Sequence, residues 1–241
     1  MVRRLRLGLF ISLLLTGPAL AQTATTEETP KAEAPTTETA APEPAPDESA
    51  PVIDWTARAT EAFAANYKEA CAPQEPAERL EIRKPDIYEM KYRENSDTAD
   101  QPDRMVTLYR FFCNSGAYNE LHVFFMKDSY GELQPLTFAE PTIHVNYENE
   151  DSEGKVLGMK IIGMESHTRL VNSEVDAAKN TVASFSKWRG VGDASSTGLW
   201  VLKDGKFVLS TYDVDASYDG EINPINVLDY RAENEILNET P

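Results

Sequence analysis

From Arg104 to Val214 the chain reads as a series of short segments with a period of two, separated by turn residues. That pattern constrains the fold more than any other feature. Met105–Cys113, Glu120–Lys127, Leu133–Phe138, Thr142–Tyr147 and Val156–Met164 are rich in β-branched and aromatic residues. Arg169–Val175, Thr181–Trp188, Leu199–Leu202 and Phe207–Val214 continue the series. Such runs suit half-buried, pleated surfaces. Ser129-Tyr130-Gly131, Asp151–Gly154, Ala178-Lys179-Asn180 and Lys203–Lys206 supply the turns. Asp204-Gly205 is the clearest hairpin signal, because both central residues of a type I′ turn need positive φ. Eight or nine strands at this spacing predict a mostly β fold, an antiparallel β-sandwich or a barrel-like domain.

One helix precedes the strands. Asp54 is placed to cap it, and Trp55, Ala59, Ala62, Phe63 and Tyr67 recur at helical spacing as far as Ala70. Cys71 and Pro73 end it, and Gln74 to Asp103 is polar without a clear period. The only two cysteines are Cys71 and Cys113. An even count in an oxidising compartment reads as one disulfide, here tying the helix end to a strand. No C-x-x-C spacing is present to poise a reactive thiolate.

The N-terminus supplies that compartment. Arg3, Arg4 and Arg6 precede the apolar run Leu7–Leu15, and Ala19-Leu20-Ala21 gives the small-x-small pattern of signal-peptidase sites. Residues 1–21 are therefore expected to be a signal peptide cleaved after Ala21. The apolar run is shorter than the roughly 20 residues a transmembrane helix needs, and the mature chain has no later candidate. Residues 22–51 are dominated by Thr, Glu, Ala and Pro with no aromatic residue, so a disordered tether is expected, followed by one folded domain over 52–241. Without the three leader arginines, 20 basic residues face 40 acidic ones, a formal charge of −20. That balance opposes nucleic-acid backbones and anionic membranes, and it favours a basic partner, a divalent cation or simple solubility.

The tract Ser184-Phe-Ser-Lys-Trp188-Arg-Gly-Val-Gly-Asp193, followed by Leu199-Trp-Val and Asp204-Gly205-Lys-Phe207, carries a family likeness. With Cys113–Asn119 it resembles the proteobacterial exported proteins known as DUF1176, a domain of unknown function, over about residues 104–230. The resemblance implies a periplasmic location and brings no reaction with it. In many family members a cysteine follows the Gly-Asp and a second lies beyond the next hairpin. Here those positions are Ala194 and, nearby, Ala216, so a second disulfide is not expected. A weaker internal echo between 113–133 and 193–207 reads twice as polar loop, strand, Asp/Gly turn, strand.

Two constellations are candidate sites. Trp188, Arg189, Asp193 and Trp200 could seat a carboxylate or a sugar ring by fork geometry and stacking. Equally, an Arg–Asp pair could pin a Gly-rich turn with both tryptophans in the core. Asp213, Asp215, Asp219 and Glu221 place hard oxygen ligands around Gly220, as a weak Ca²⁺ loop would, although the spacing departs from an EF-hand. Asx-turns give the same residues a purely structural use. The acidic cluster Glu148–Gly154 reads as a solvated hairpin tip. His122, His144 and His167 sit on separate strands and read as satisfied or exposed rather than as a zinc or catalytic triad. No hydrolase, P-loop or dinucleotide motif is present.

The expected protein is a non-enzymatic periplasmic β domain that binds a ligand or partner at the cell envelope. Its partner would be a basic envelope protein or a cell-wall component, and Ca²⁺ is the only cofactor the residues suggest. An inhibitor of a basic, lysozyme-like cell-wall hydrolase is the first alternative, by charge complementarity. An envelope hydrolase without a recognised motif is the second.

Overall fold

The computed structural model describes residues 52–71 and 84–231. The leader at 1–21 and the tether at 22–51 lie outside the described residues. Among the described residues, twelve strands follow one α-helix, α1 (Trp55–Tyr67). The strands are β1 (Asp86–Tyr92), β2 (Arg104–Ser115), β3 (Glu120–Lys127), β4 (Leu133–Pro135), β5 (Phe138–Tyr147) and β6 (Val156–His167). Then come β7 (Arg169–Val171), β8 (Glu174–Asp176), β9 (Thr181–Lys187), β10 (Ser195–Lys203), β11 (Lys206–Asp215) and β12 (Ile225–Asp229).

All pairings are antiparallel. The first sheet runs β1-β2-β3-β4, with β7 also on β3, and the second runs β12-β11-β10-β9-β8. β5 and β6 form a separate two-stranded ribbon. Each sheet is a meander, because short turns make sequence neighbours into spatial neighbours. The inner faces meet in one core: Met90, Leu108, Phe124 and Leu170 from the first sheet pack with Val182, Trp200, Tyr212 and Val214 from the second. This is a sandwich, and the barrel-like alternative falls away.

The structure departs from the sequence expectation in strand number. β1 lies inside the stretch read as polar, where Met90 and Tyr92 are buried while Glu89 and Lys91 face outward. Charged outward residues are common on edge strands, where they block unwanted pairing, and they mask the apolar half of the pattern. β12, the opposite edge, is short and pairs with β11 through a register shift at Tyr212/Asp213. Arg169–Val175 divides into β7 and β8 at Asn172, whose φ of 42° breaks the strand. That break carries the chain from one sheet to the other: β7 pairs with β3 and β8 with β9. Leu133–Phe138 likewise divides between β4 and the start of β5.

The helix forms as its residues require. Asp54 accepts a hydrogen bond from the Ala57 amide at 2.9 Å, satisfying a donor the first turn leaves open. Its apolar stripe lies on the outer face of the first sheet. Phe63 stacks on Phe111 at 4.5 Å between centroids, and Tyr67 meets Phe125 edge-on at 6.0 Å. Aromatic pairs of this kind add about 0.5–1.5 kcal/mol each beyond burial. Cys71 and Cys113 are bonded, closing this second, smaller core.

The Asp204-Gly205 turn has φ of 47° and 72°, as a type I′ hairpin demands. Ala194 and Ala216 are both buried, each one residue beyond the Ser195–Asp215 pair of β10 and β11. They therefore sit opposite one another across the hairpin.

Candidate functional site: a cleft between the ribbon tip and the β11–β12 loop

The ribbon is long, and its far end folds back over the second sheet. Tyr147, at the end of β5, donates to the Ala216 carbonyl at 3.1 Å. That bond sets the turn between β5 and β6 beside the loop joining β11 to β12. Between them lies a cleft of about 500 Å³. Val156, Met159, Val214 and Ile225 give it an apolar floor, while Lys155, Ser217, Tyr218 and Asn223 supply polar walls. Glu153 and Asp219 add negative charge to the lining. A concave apolar floor with a few placed polar groups is the usual form of a ligand seat.

The loop is held by two buried carboxylates. Asp215 is 2% exposed and accepts from the Ser217 amide at 3.1 Å, the Ser217 hydroxyl at 2.7 Å and the Asn223 amide at 2.7 Å. With its side-chain nitrogen turned toward Asp215, Asn223 also donates to both carboxylate oxygens, at 3.2 and 2.9 Å. Asp193, also 2% exposed, accepts from Arg189 Nε at 2.7 Å, from Arg189 Nη2, and from the Gly220 amide at 2.9 Å. The hydrogen-bonded Arg189 guanidinium holds the Asp193 carboxyl well below the usual carboxylate range; burial opposes this, and the Gly220 and Ala194 amides reinforce it. Arg189 in turn donates to the Tyr218 carbonyl at 2.9 Å and lies over the Tyr218 ring at 5.2 Å.

The two sequence constellations are thus parts of one construction. Trp200 is fully buried, and its indole donates to the Ala139 carbonyl at 3.0 Å, so it is a core residue and cannot meet a ligand. Trp188 packs against the core with its indole 3.4 Å from the Ser196 hydroxyl. Arg189 and Asp193 satisfy each other and clamp the 215–223 loop, which is the turn-pinning reading.

The acids of the Ca²⁺ reading are engaged within the fold. Asp213 accepts from the Asn226 side chain at 2.9 Å, Asp215 is saturated by its loop, and Asp219 closes an Asx-turn with the Glu221 amide at 2.9 Å. Among the described residues, no three His, Cys, Asp or Glu side chains are grouped so as to hold a metal ion.

The histidines are dispersed. His144 and His167 stand opposite Lys160 and Phe138, at separate places on the ribbon. His122 is buried between the sheets, and desolvation lowers it to about 4. A different polar group surrounds the ribbon's base, where Tyr212 reaches Glu140 at 3.3 Å and His167 lies 3.5 Å from Glu165. Burial raises the Glu140 carboxyl and pushes the Tyr212 hydroxyl up to about 12.

The cleft's lining from Lys155 and the start of β6, including Val156 and Met159, was not marked by the sequence. Its only signal is the acidic hairpin tip at 148–154, and nothing local says which loop that tip will face.

A family model described as a protein of unknown function (DUF1176) matches residues 21–221. The match takes in helix α1, which the sequence likeness had left outside. No curated protein and no solved structure matches.

Proposed function

Because this chain belongs to the DUF1176 family, which carries no assigned activity, we propose from its own geometry that it is an exported, non-enzymatic binding domain. Its ligand seat is the cleft between the ribbon tip and the β11–β12 loop. One observation carries the reading: the cleft's walls are fixed in advance by two buried carboxylates, Asp193 and Asp215, whose hydrogen bonds are made to the 215–223 loop, with Asp215 also lining the cleft. Pre-ordered walls lower the entropy cost of association. The leader motif at 1–21 and the disulfide support export, since such bonds persist in oxidising compartments. On this reading the domain works in the periplasm.

The test is a nuclear magnetic resonance titration of ¹⁵N-labelled protein with soluble peptidoglycan fragments and, separately, with lysozyme. Saturable shifts centred on Lys155, Ser217, Asn223 and Ile225, abolished by Met159→Arg, are expected. Shifts centred elsewhere, or turnover of the fragments, would overturn the reading. A fusion to a reporter active only outside the cytoplasm checks export; an inactive fusion would remove the periplasmic assignment.

A second reading is favoured by Glu153 and Asp219 in the cleft and by the acidic chain as a whole: inhibition of a basic cell-wall hydrolase. It requires co-elution with lysozyme at low salt, and separate elution would dismiss it.

A further inference from the structure

The ribbon is tied to the second sheet through β5. The Ala139 carbonyl accepts from the Trp200 indole at 3.0 Å, Glu140 accepts from the Tyr212 hydroxyl at 3.3 Å, and the Tyr147 hydroxyl donates to Ala216 at 3.1 Å. β6 is the outer strand, and among the described residues its other edge pairs with no strand. None of its twelve residues is buried. Leu157, Ile161, Ile162 and Met164 are all exposed. Ile161 and Met164 stand opposite Ile143 and Pro141, so they share the face on which Ile143 packs against the core and Pro141 is buried. They stay exposed because β6 ends the layer. A long edge strand of this kind is a template for another strand.

The other face of the ribbon separates charge along its length. Glu165 stands across from Glu140, and Lys160 stands across from His144. Like charges placed directly opposite are unfavourable, so the acidic pair lacks a cation. Among the described residues Lys160 has no ion pair, and Glu165 meets only the half-exposed His167, at 3.5 Å. Lys160 and Glu165 are an odd number of positions apart, and strict alternation would put them on opposite faces. A bulge at Ile162 corrects this. Gly163 pairs with Thr142 and Ile161 with Ile143, so β6 carries one residue more than β5 at that point. Lys160 and Glu165 therefore project from one face, as their partners His144 and Glu140 do.

We propose that β6 pairs antiparallel with β6 of a second copy of this chain, about a two-fold axis between Ile162 and Gly163. Such an axis stands normal to the joined ribbons and leaves each face on its own side, so residues that pair must share a face. Lys160 and Glu165 share one, and Ile161 and Met164 share the other. In this register Lys160 of each copy lies across from Glu165 of the other, and each acidic pair gains its cation. Ile161 meets Met164 on both sides of the axis, which covers the apolar margin that β6 leaves open. Ile162 falls across from Gly163, which has no side chain to obstruct it. The bulge at Leu157 ends the pairing, which runs from Gly158 to His167. A single strand pair is small beside the about 1,200–2,000 Å² of stable interfaces, so the dimer forms and parts with concentration. The seam does not depend on the ligand seat proposed above.

The experiment is sedimentation velocity over a dilution series reaching ~1 mM protein, with amide hydrogen exchange measured at both ends of the series. Physiological salt is used, because the acidic chain repels its own copies and that salt screens the repulsion beyond about 8 Å. A reversible monomer–dimer equilibrium is expected, with amides in 158–167 better protected in the concentrated sample. Lys160→Glu should raise the dissociation constant ~10-fold or more, since two attractive pairs become repulsive. Lys160→Glu combined with Glu165→Lys should restore the dimer, and Lys155→Gln should leave it unchanged. A chain that stays monomeric throughout, one that assembles beyond a dimer, a dimer indifferent to Lys160→Glu, or a double variant that fails to recover would overturn the proposal. Should a variant lose its native melting transition, the exchange pattern of the unaltered protein decides, and protection gained outside 158–167 alone would overturn it.

Discussion

Replacing both Cys71 and Cys113 with alanine tests how the helix is secured. The bond closes a separation of 42 residues. Loop-closure entropy for a loop of that length amounts to ~4 kcal/mol lost from the unfolded state. The cysteines are 4% and 0% exposed, so the variant also leaves a small void where the sulfurs packed against the Phe111 and Phe125 layer. For a domain of this size each kcal/mol moves the melting midpoint by about 2–4 °C, which predicts a fall of about 8–16 °C. Thermal unfolding followed by circular dichroism reads the shift directly. The aromatic contacts of Phe63 and Tyr67 should still dock α1, so Trp55 fluorescence in the variant should stay native-like at low temperature. Burial of both sulfurs further predicts that a mild reductant leaves the native bond intact and cleaves it only in denaturant. A midpoint shift under 3 °C, within the ~1 kcal/mol that a void alone could cost, would refute the entropic argument. A native-temperature loss of the Trp55 signal would instead show that the bond, and not the aromatic stripe, holds the helix.

Other outcomes follow from the same geometry. Gly198→Ala would place a Cβ 2.4 Å from the Trp200 ring, which is fully buried and cannot retreat; overpacking of this kind should cost about 1–3 kcal/mol in urea denaturation. His122 is lowered from 6.5 to about 4 in the folded state, so below pH 6.5 the unfolded chain gains a proton that the folded chain resists. Stability from this group is complete above pH 6.5 and declines as pH falls toward 4, and His122→Leu should flatten that part of the stability profile. Ala194→Cys with Ala216→Cys should form a second disulfide spontaneously and raise stability by ~3 kcal/mol for a loop of about 22 residues; free thiols in the oxidised protein would show that the two positions do not face one another.

Much of the fold was legible because its signals are local. Asp54 capping α1, the alternation in β2 and β3, and the Asp204-Gly205 turn each depend on neighbours a few residues away. The edges were harder. β1 hides its buried Met90 and Tyr92 among charges that an edge strand carries outward, and β12 is short and bulged. The strand break at Asn172 turns on a single positive φ, which a run of apolar residues does not announce.

The sequence by itself determined a β-rich chain with one capped helix, a disulfide and an acidic surface, because period, turn chemistry and charge are properties of short stretches. It also narrowed the roles of Arg189 and Asp193 to two. Only the tertiary structure decided between them, by bringing Gly220 and Tyr218 to that pair from 27 and 29 residues away. It alone buried Trp200, spent the Asp215 lone pairs on its own loop, and laid the ribbon tip beside residues 214–225. Each of these depends on sheet register and on which faces pack together, and those are set by the whole core at once rather than by any segment of it.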